Sequence, residues 1–178
     1  MENVAHALAG LLVARGVVAF RERREEAPAS DAFPRWAAWA SAVANNVPDG
    51  DLILTPLSGG KLGYLLHHRG HTHTLAVGVI LGLAVALVIL AIARRRGADL
   101  DAADERWILG LGALGPVVHL FMDGLNIYGI HPFWPVYDGW IYGDAVFIVE
   151  PLLWLTAVPF LFADARTAPT RAVLILLT

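Results

Sequence analysis

Leu75 to Ala93 is a run of nineteen residues without a single charge. As an α-helix such a run is roughly 28 Å long at ~1.5 Å per residue, close to the thickness of a hydrocarbon core. The rest of the chain has the composition that goes with it. Its 178 residues are 57% hydrophobic and 16% charged, with a mean hydropathy of +0.57, whereas a water-soluble domain carries about 25% charged residues. The same numbers exclude disorder. A net charge of −3 and a pI near 6.1 exclude a nucleic-acid binder built on a basic surface. The length fits one domain, residues 1–178. No cysteine is present, so disulfides and Cys-ligated zinc or iron–sulfur centres are excluded, and seven histidines remain as the soft-to-borderline metal ligands. The chain reads as an all-α, polytopic transmembrane bundle.

About five spans are expected. Besides 75–93 they are Val4 to Phe20, Trp36 to Val47, Trp107 to Tyr128 and Ala145 to Ala163. Val4 to Phe20 does not read as a cleaved signal peptide, because Glu2 is the only charge before it and no A-x-A site follows. The Trp36 segment is the weakest, since Asn45, Asn46 and a Pro48-Asp49-Gly50-Asp51 turn interrupt it. Arg171 to Thr178 looks like the start of a further helix that ends too early to span; either it packs at the surface or the chain is a truncation.

Charge sets the expected orientation. If the five helices alternate, the loops after the first, third and fifth hold Arg21, Arg23, Arg24, Arg35, Arg94, Arg95, Arg96, Arg106, Arg166 and Arg171, and the other side holds Lys61 and Arg69. Positive loops stay in the cytoplasm, which places the N-terminus on the extracytoplasmic side.

On that map the polar residues gather at one end. His6 opens the first helix, and Asp49 and Asp51 follow the second. His67, His68, Arg69, His71 and His73 lead into the third, and His119 and Asp123 lie late in the fourth. His131, Asp138 and Asp144 lie in the loop after the fourth, and Glu150 is near the start of the fifth. Ionisable groups beside spans are costly and mark function. His119 and Asp123 are the most specific local signal, because an i, i+4 spacing puts both on one helix face. Alone, the pair could simply hydrogen-bond to each other; shared with other such groups, it points to metal. Four histidines within His67–His73 suit zinc, with carboxylates filling the remaining positions, or else form a solvated loop that binds nothing. Arg69 either pairs with a carboxylate or offers a fork to a phosphate oxygen. Asp49 and Asp51 around Gly50 would be only a turn in a soluble protein, but here they are candidate bridging carboxylates. His6 by itself could be packing. Glu150 before Pro151 is a ligand, a partner to a histidine, or a helix-start carboxylate.

Taken together, His6, Pro48-Asp49-x-Asp51, His68-Arg69-Gly70-x-Thr72-His73-Thr74, His119-x3-Asp123 and Asn126-x-Tyr128-Gly129 resemble the membrane-bound metal-dependent hydrolases, also described as inner-membrane-associated hydrolases linked to LexA. The block Tyr142-Gly-Asp144 through Glu150-Pro151 is similar, with Glu150 where that family more often has Asp. The resemblance covers nearly the whole chain. It implies a multi-helix membrane protein with a divalent-metal site and hydrolase activity, in which His68 and His73 are ligands and His71 is an extra. Ligand order is also similar to that of the zinc phospholipase C and single-strand nuclease group, as analogy only.

The expected function is a hydrolase of the inner membrane that uses metal-activated water. One or two divalent ions, zinc by preference, sit at the extracytoplasmic face, held by His6, Asp49, Asp51, His68, His73, His119 and Asp123. Seven ligands exceed one tetrahedral ion, so two ions with a bridging aspartate are more economical. Asp144, Glu150 or an unligated aspartate is the candidate general base, and Arg69 stabilises developing negative charge. The expected partners are the bilayer and a lipid or lipid-linked phosphoester substrate. The alternatives are a metal-ion or proton-coupled transporter, whose charges should line a path through the membrane, and a membrane scaffold that binds metal incidentally.

Overall fold

Five helices make up the computed structural model, which describes residues 1–23, 29–54 and 70–163. They are α1 (Asn3–Arg21), α2 (Phe33–Asn46), α3 (Leu75–Arg95), α4 (Ala102–Gly124) and α5 (Pro151–Phe162). Two 3-10 segments, Val47–Leu54 and His71–His73, follow α2 and precede α3. Among the described residues there is no strand, only an isolated bridge between Ile130 and Ile141. The chain is all-α. Three helices, α1, α3 and α4, are long and apolar enough to cross a membrane. With 14 and 12 residues, α2 and α5 reach only roughly 21 and 18 Å at ~1.5 Å per residue, so three of the five expected spans have the full length. Residues 171–178 lie outside the described residues.

The sequence of α3 explains its packing. It is apolar all round, yet only Gly78, Gly82, Ala86, Leu90 and Ala93 are buried, while Ile80, Leu87 and Val88 are exposed. A stripe of small residues lets two backbones approach closely, which is how helices associate where lipid removes the hydrophobic drive. A Cβ on Gly82 would overlap the carbonyl oxygen of Gly112 and the ring of Pro116 on α4. On the other side of α4, a Cβ on Gly115 would stand 2.8 Å from Ala44 Cβ of α2. The order of contact is therefore α1 on α2, α2 on α4 and α4 on α3, with α5 against α1.

Helix ends differ from the expected ones for local reasons. The fourth helix begins at Ala102 rather than Trp107, because Asp101 and Asp104 form a reciprocal capping box; Asp104 N donates to Asp101 Oδ1 at 2.6 Å. It stops at Gly124, not Tyr128, where Tyr128 N donates instead to Asn126 Oδ1 at 2.9 Å. The fifth begins at Pro151 rather than Ala145. Proline is suited to a first helical position, and Glu150 caps the helix by accepting from Leu152 N at 3.4 Å.

Two arginines pin the end of the bundle away from the histidines. Arg21 ion-pairs with Asp104, both buried, and its guanidinium lies 4.5 Å from the ring centre of Phe33. Arg15 donates to the carbonyls of Leu161 and Ala163, tying the last turn of α5 to α1.

Candidate metal centre

Helix direction decides which residues can meet. In this antiparallel arrangement the starts of α1 and α3 and the ends of α2 and α4 lie together. Thr74 sets the start of α3: its hydroxyl accepts from Val77 N at 3.4 Å and donates to His71 O at 2.9 Å. That places His73 one residue before the cap, in the 3-10 turn. Asp49 lies in the 3-10 turn that continues from α2. His119 and Asp123 share the last turns of α4.

Asp49, His73, His119 and Asp123 converge, all four buried, with one ligand atom from each lying within 4.8 Å of the others. His73 Nε2 stands 3.2 Å from Asp49 Oδ1, 3.3 Å from His119 Nε2 and 3.6 Å from Asp123 Oδ2. His119 Nε2 is 3.7 Å from Asp49 Oδ1 and 3.5 Å from Asp123 Oδ2.

The outer hydrogen bonds say which atoms these imidazoles present. His119 Nδ1 lies 2.7 Å from the carbonyl oxygen of Asn45. A carbonyl only accepts, so Nδ1 carries the proton and Nε2 turns a lone pair to the cluster. For His73, Nδ1 is 3.1 Å from Thr72 Oγ1, which itself donates to Asp51 Oδ2 at 3.1 Å. The single hydroxyl proton goes to the carboxylate, so the hydroxyl accepts from Nδ1, and again Nε2 is left with a lone pair. Two imidazole lone pairs and two carboxylate oxygens thus face one point, a donor set of the hard and borderline kind that fits a divalent cation. A proton on His73 Nε2 competes for that place. Burial alone would raise the Asp49 carboxyl, but with that proton His73 hydrogen-bonds to it and, with the neighbouring imidazoles, holds it down at about 2.

The remaining expected residues are placed differently from one another. His6 is fully buried and stacks on His119 with ring centres 3.8 Å apart. Its Nε2 is 3.4 Å from Asp123 Oδ1, and neither ring nitrogen has a hydrogen-bond partner among the described residues. The Met1 ammonium also pairs with Asp123 Oδ1, so the two oxygens of that carboxylate serve different neighbours. Asp51 is set back, 3.8 Å from His73 Nδ1 and thus on the far side of that ring from the cluster. His68 and Arg69 lie outside the described residues. Asp144 is exposed at a left-handed φ of 50°, and Glu150 caps α5. His71, the extra histidine, packs on Trp134 with ring centres 4.5 Å apart. Sequence reasoning missed the Asn45 carbonyl and the Thr72 hydroxyl. The first is backbone and leaves no sequence signal; the second stood within the quoted motif.

Residues 1–178 match the family model described as YdjM inner membrane protein. No curated protein and no solved structure matches the chain.

Proposed function

Since the chain belongs to the YdjM inner membrane protein family, we propose that it is a membrane-embedded hydrolase that holds a divalent cation, zinc by preference, on Asp49, His73, His119 and Asp123. One observation carries this reading. A tetrahedral ion with bonds of ~2.0–2.2 Å requires its ligand atoms to lie roughly 3.3–3.6 Å apart. Five of the six separations, the N···N and N···O ones, run from 3.2 to 3.7 Å, and all the ligand atoms lie within 4.8 Å of one another.

When bound, the ion supplies Lewis acidity toward a phosphoryl oxygen and toward water near neutral pH. The chain's own groups do the rest. Asn45 O and the Thr72–Asp51 pair fix the tautomers of His119 and His73. His6, whose Nε2 is 3.4 Å from Asp123 Oδ1, would offer a further nitrogen to a cation held there. Of the carboxylates considered as general base, Asp51 stands one hydroxyl from His73, whereas Asp144 is exposed and Glu150 is engaged as a helix cap. Arg69, by the chemistry of its guanidinium, would either pair with a carboxylate or offer a fork to phosphate oxygens and stabilise developing negative charge. A lipid or lipid-linked phosphoester suits a cluster at the end of a membrane bundle. Arg21, Arg94, Arg95, Arg96 and Arg106 flank the opposite ends of α1, α3 and α4, which supports a cytoplasmic far end and an extracytoplasmic cluster. Transport would need ionisable groups along the whole bundle, and the Arg21–Asp104 pair at the far end is closed on itself.

Elemental analysis of the purified protein, with a panel of lipid phosphoesters, tests the reading. Stoichiometric metal that is lost in His119→Ala and Asp123→Ala, together with turnover that disappears in both, supports it. Metal retained in both variants, or metal without turnover of any phosphoester, overturns it, the latter in favour of a scaffold.

A further inference from the structure

Residues 127–149, between α4 and α5, are held on their inner side by backbone. Leu75 N at the start of α3 donates to Pro132 O at 2.9 Å, and Glu2 N beside α1 donates to Ile148 O at 3.3 Å. Ala145 N and Val146 N both donate to Leu125 O, at 2.8 and 3.2 Å. His131 Nε2 reaches Gly70 O at 3.2 Å, and the Ile130–Ile141 bridge closes the middle of the segment. It therefore lies across the helix ends that bear the cluster, touching the entrances of α1 and α3 and the exit of α4.

Its outer side is greasy. Val136 is 94% exposed, Phe147 79%, Tyr137 62% and Trp140 44%. Large exposed apolar surface on a fixed backbone marks an interaction site. Three observations select its partner. The residues are mixed Trp, Tyr, Phe and aliphatic, and amphipathic rings settle at the level of lipid headgroups. Phe121 on α4 and Leu152 and Leu155 on α5, the apolar helices that the segment joins, are exposed as well. Finally, residues 127–149 include Asp138 and Asp144 but no Lys or Arg, so attraction to anionic lipid is not what seats them.

We propose that residues 127–149 form an aromatic collar seated in the headgroup layer of the leaflet that surrounds the cluster, so that a ligand of the cluster arrives from the bilayer rather than from bulk water. The seating stands on the surface alone. The second clause rests on the function proposed above, and it narrows the substrate to one that resides in the leaflet.

The chain has no native cysteine, so single-site spin labels report without background. Val136→Cys, Phe147→Cys and, as a control, Asp99→Cys in the exposed α3–α4 connection are labelled in the full-length protein and reconstituted in phosphatidylcholine vesicles, with and without phosphatidylglycerol. Collision with oxygen against a water-soluble nickel chelate is then compared by electron paramagnetic resonance. The ratio should rise several-fold at 136 and 147 over 99, unchanged by phosphatidylglycerol or salt. A ratio at 136 and 147 equal to that at 99 places the segment in water and overturns the proposal. Exclusion of both reagents, with spin–spin broadening, assigns the surface to a second copy of the chain and overturns it too. Metal content of the same samples separates the two readings. Metal bound with a water-exposed collar defeats this inference alone, whereas a seated collar without metal defeats the function and leaves the seating intact.

Discussion

Substitution of Gly82 by alanine tests whether the α3–α4 seam positions the cluster. The added Cβ would overlap Gly112 O and lie 2.8 and 2.9 Å from the Pro116 ring carbons Cγ and Cδ. Carbon atoms at rest sit ~3.5–4.0 Å apart, so the two helices must separate by about 1 Å. The obstacles are backbone and a proline ring, neither of which can swing aside. Overpacking of this kind costs ~1–3 kcal/mol. Gly110→Ala on the same α4 is the control. Its Cβ meets nothing within 4 Å, and replacing a mid-helix glycine there should stabilise by ~0.5–1 kcal/mol. The two variants are thus expected to move in opposite directions in thermal unfolding monitored in detergent. The seam also sets the distance between His73, ahead of α3, and His119, on α4. Ligand atoms must fall within ~0.2 Å of their proper bond lengths, so a shift near 1 Å should weaken metal binding at least tenfold in Gly82→Ala and leave Gly110→Ala as wild type. Equal stability and equal metal affinity in the two variants would refute the argument that this close approach holds the cluster together.

Breaking the buried Arg21–Asp104 pair from either side, Arg21→Ala or Asp104→Ala, should destabilise the bundle by ~3–5 kcal/mol, because an uncompensated charge is left inside. The double variant should cost less than the sum, and a double-mutant cycle on denaturation midpoints reads the difference. Arg15→Ala strips the donors from the carbonyls of Leu161 and Ala163; a loss of ~1–3 kcal/mol is expected, with faster protease cleavage after α5 while the cuts elsewhere stay slow. Thr72→Val keeps the shape of the side chain and removes the hydroxyl between His73 and Asp51. Orienting groups of this kind are worth ~10–100-fold in metal affinity, measurable by competition with a chelator, while thermal stability of the metal-free protein should change little.

What the sequence made legible follows periodicity. The uncharged run gave α3 almost to the residue, and the i, i+4 spacing of His119 and Asp123 put both on the face that meets α2 and α3. Counting helix directions put five polar segments at one end, and those bearing His6, Asp49, His73 and His119 meet in the cluster. Local capping was less legible. Asp101 and Asp104 lie before the expected span, and their reciprocal bonds are what start the helix there; Glu150 read as a possible ligand, whereas its carboxylate accepts from Leu152 N. Asp49 and Asp51 could not be told apart by spacing, since both flank Gly50; the 3-10 turn sends Asp49 to the Nε2 side of His73 and Asp51 to the Nδ1 side. The Asn45 contribution comes from a carbonyl that every residue type possesses, so only the packing of α4 on α2 reveals it.

The same antiparallel geometry is compatible with a cation at this end. The starts of α1 and α3 each bring about +0.5 elementary charge from their free N–H groups, and the ends of α2 and α4 each bring about −0.5. Two starts and two ends therefore cancel, and the backbone offers no net field to balance side chains. Among the described residues, the Met1 ammonium pairs with the buried carboxylate of Asp123 through its Oδ1. Asp123 Oδ2 and Asp49 Oδ1 lie 3.2–3.7 Å from the Nε2 atoms of His73 and His119. Four electron-rich atoms at such separations, away from water, repel one another unless something positive lies between them. A proton on one imidazole relieves part of that repulsion, and a divalent ion relieves all of it while satisfying every donor at once. The cluster could thus hold a divalent ion among its four donors.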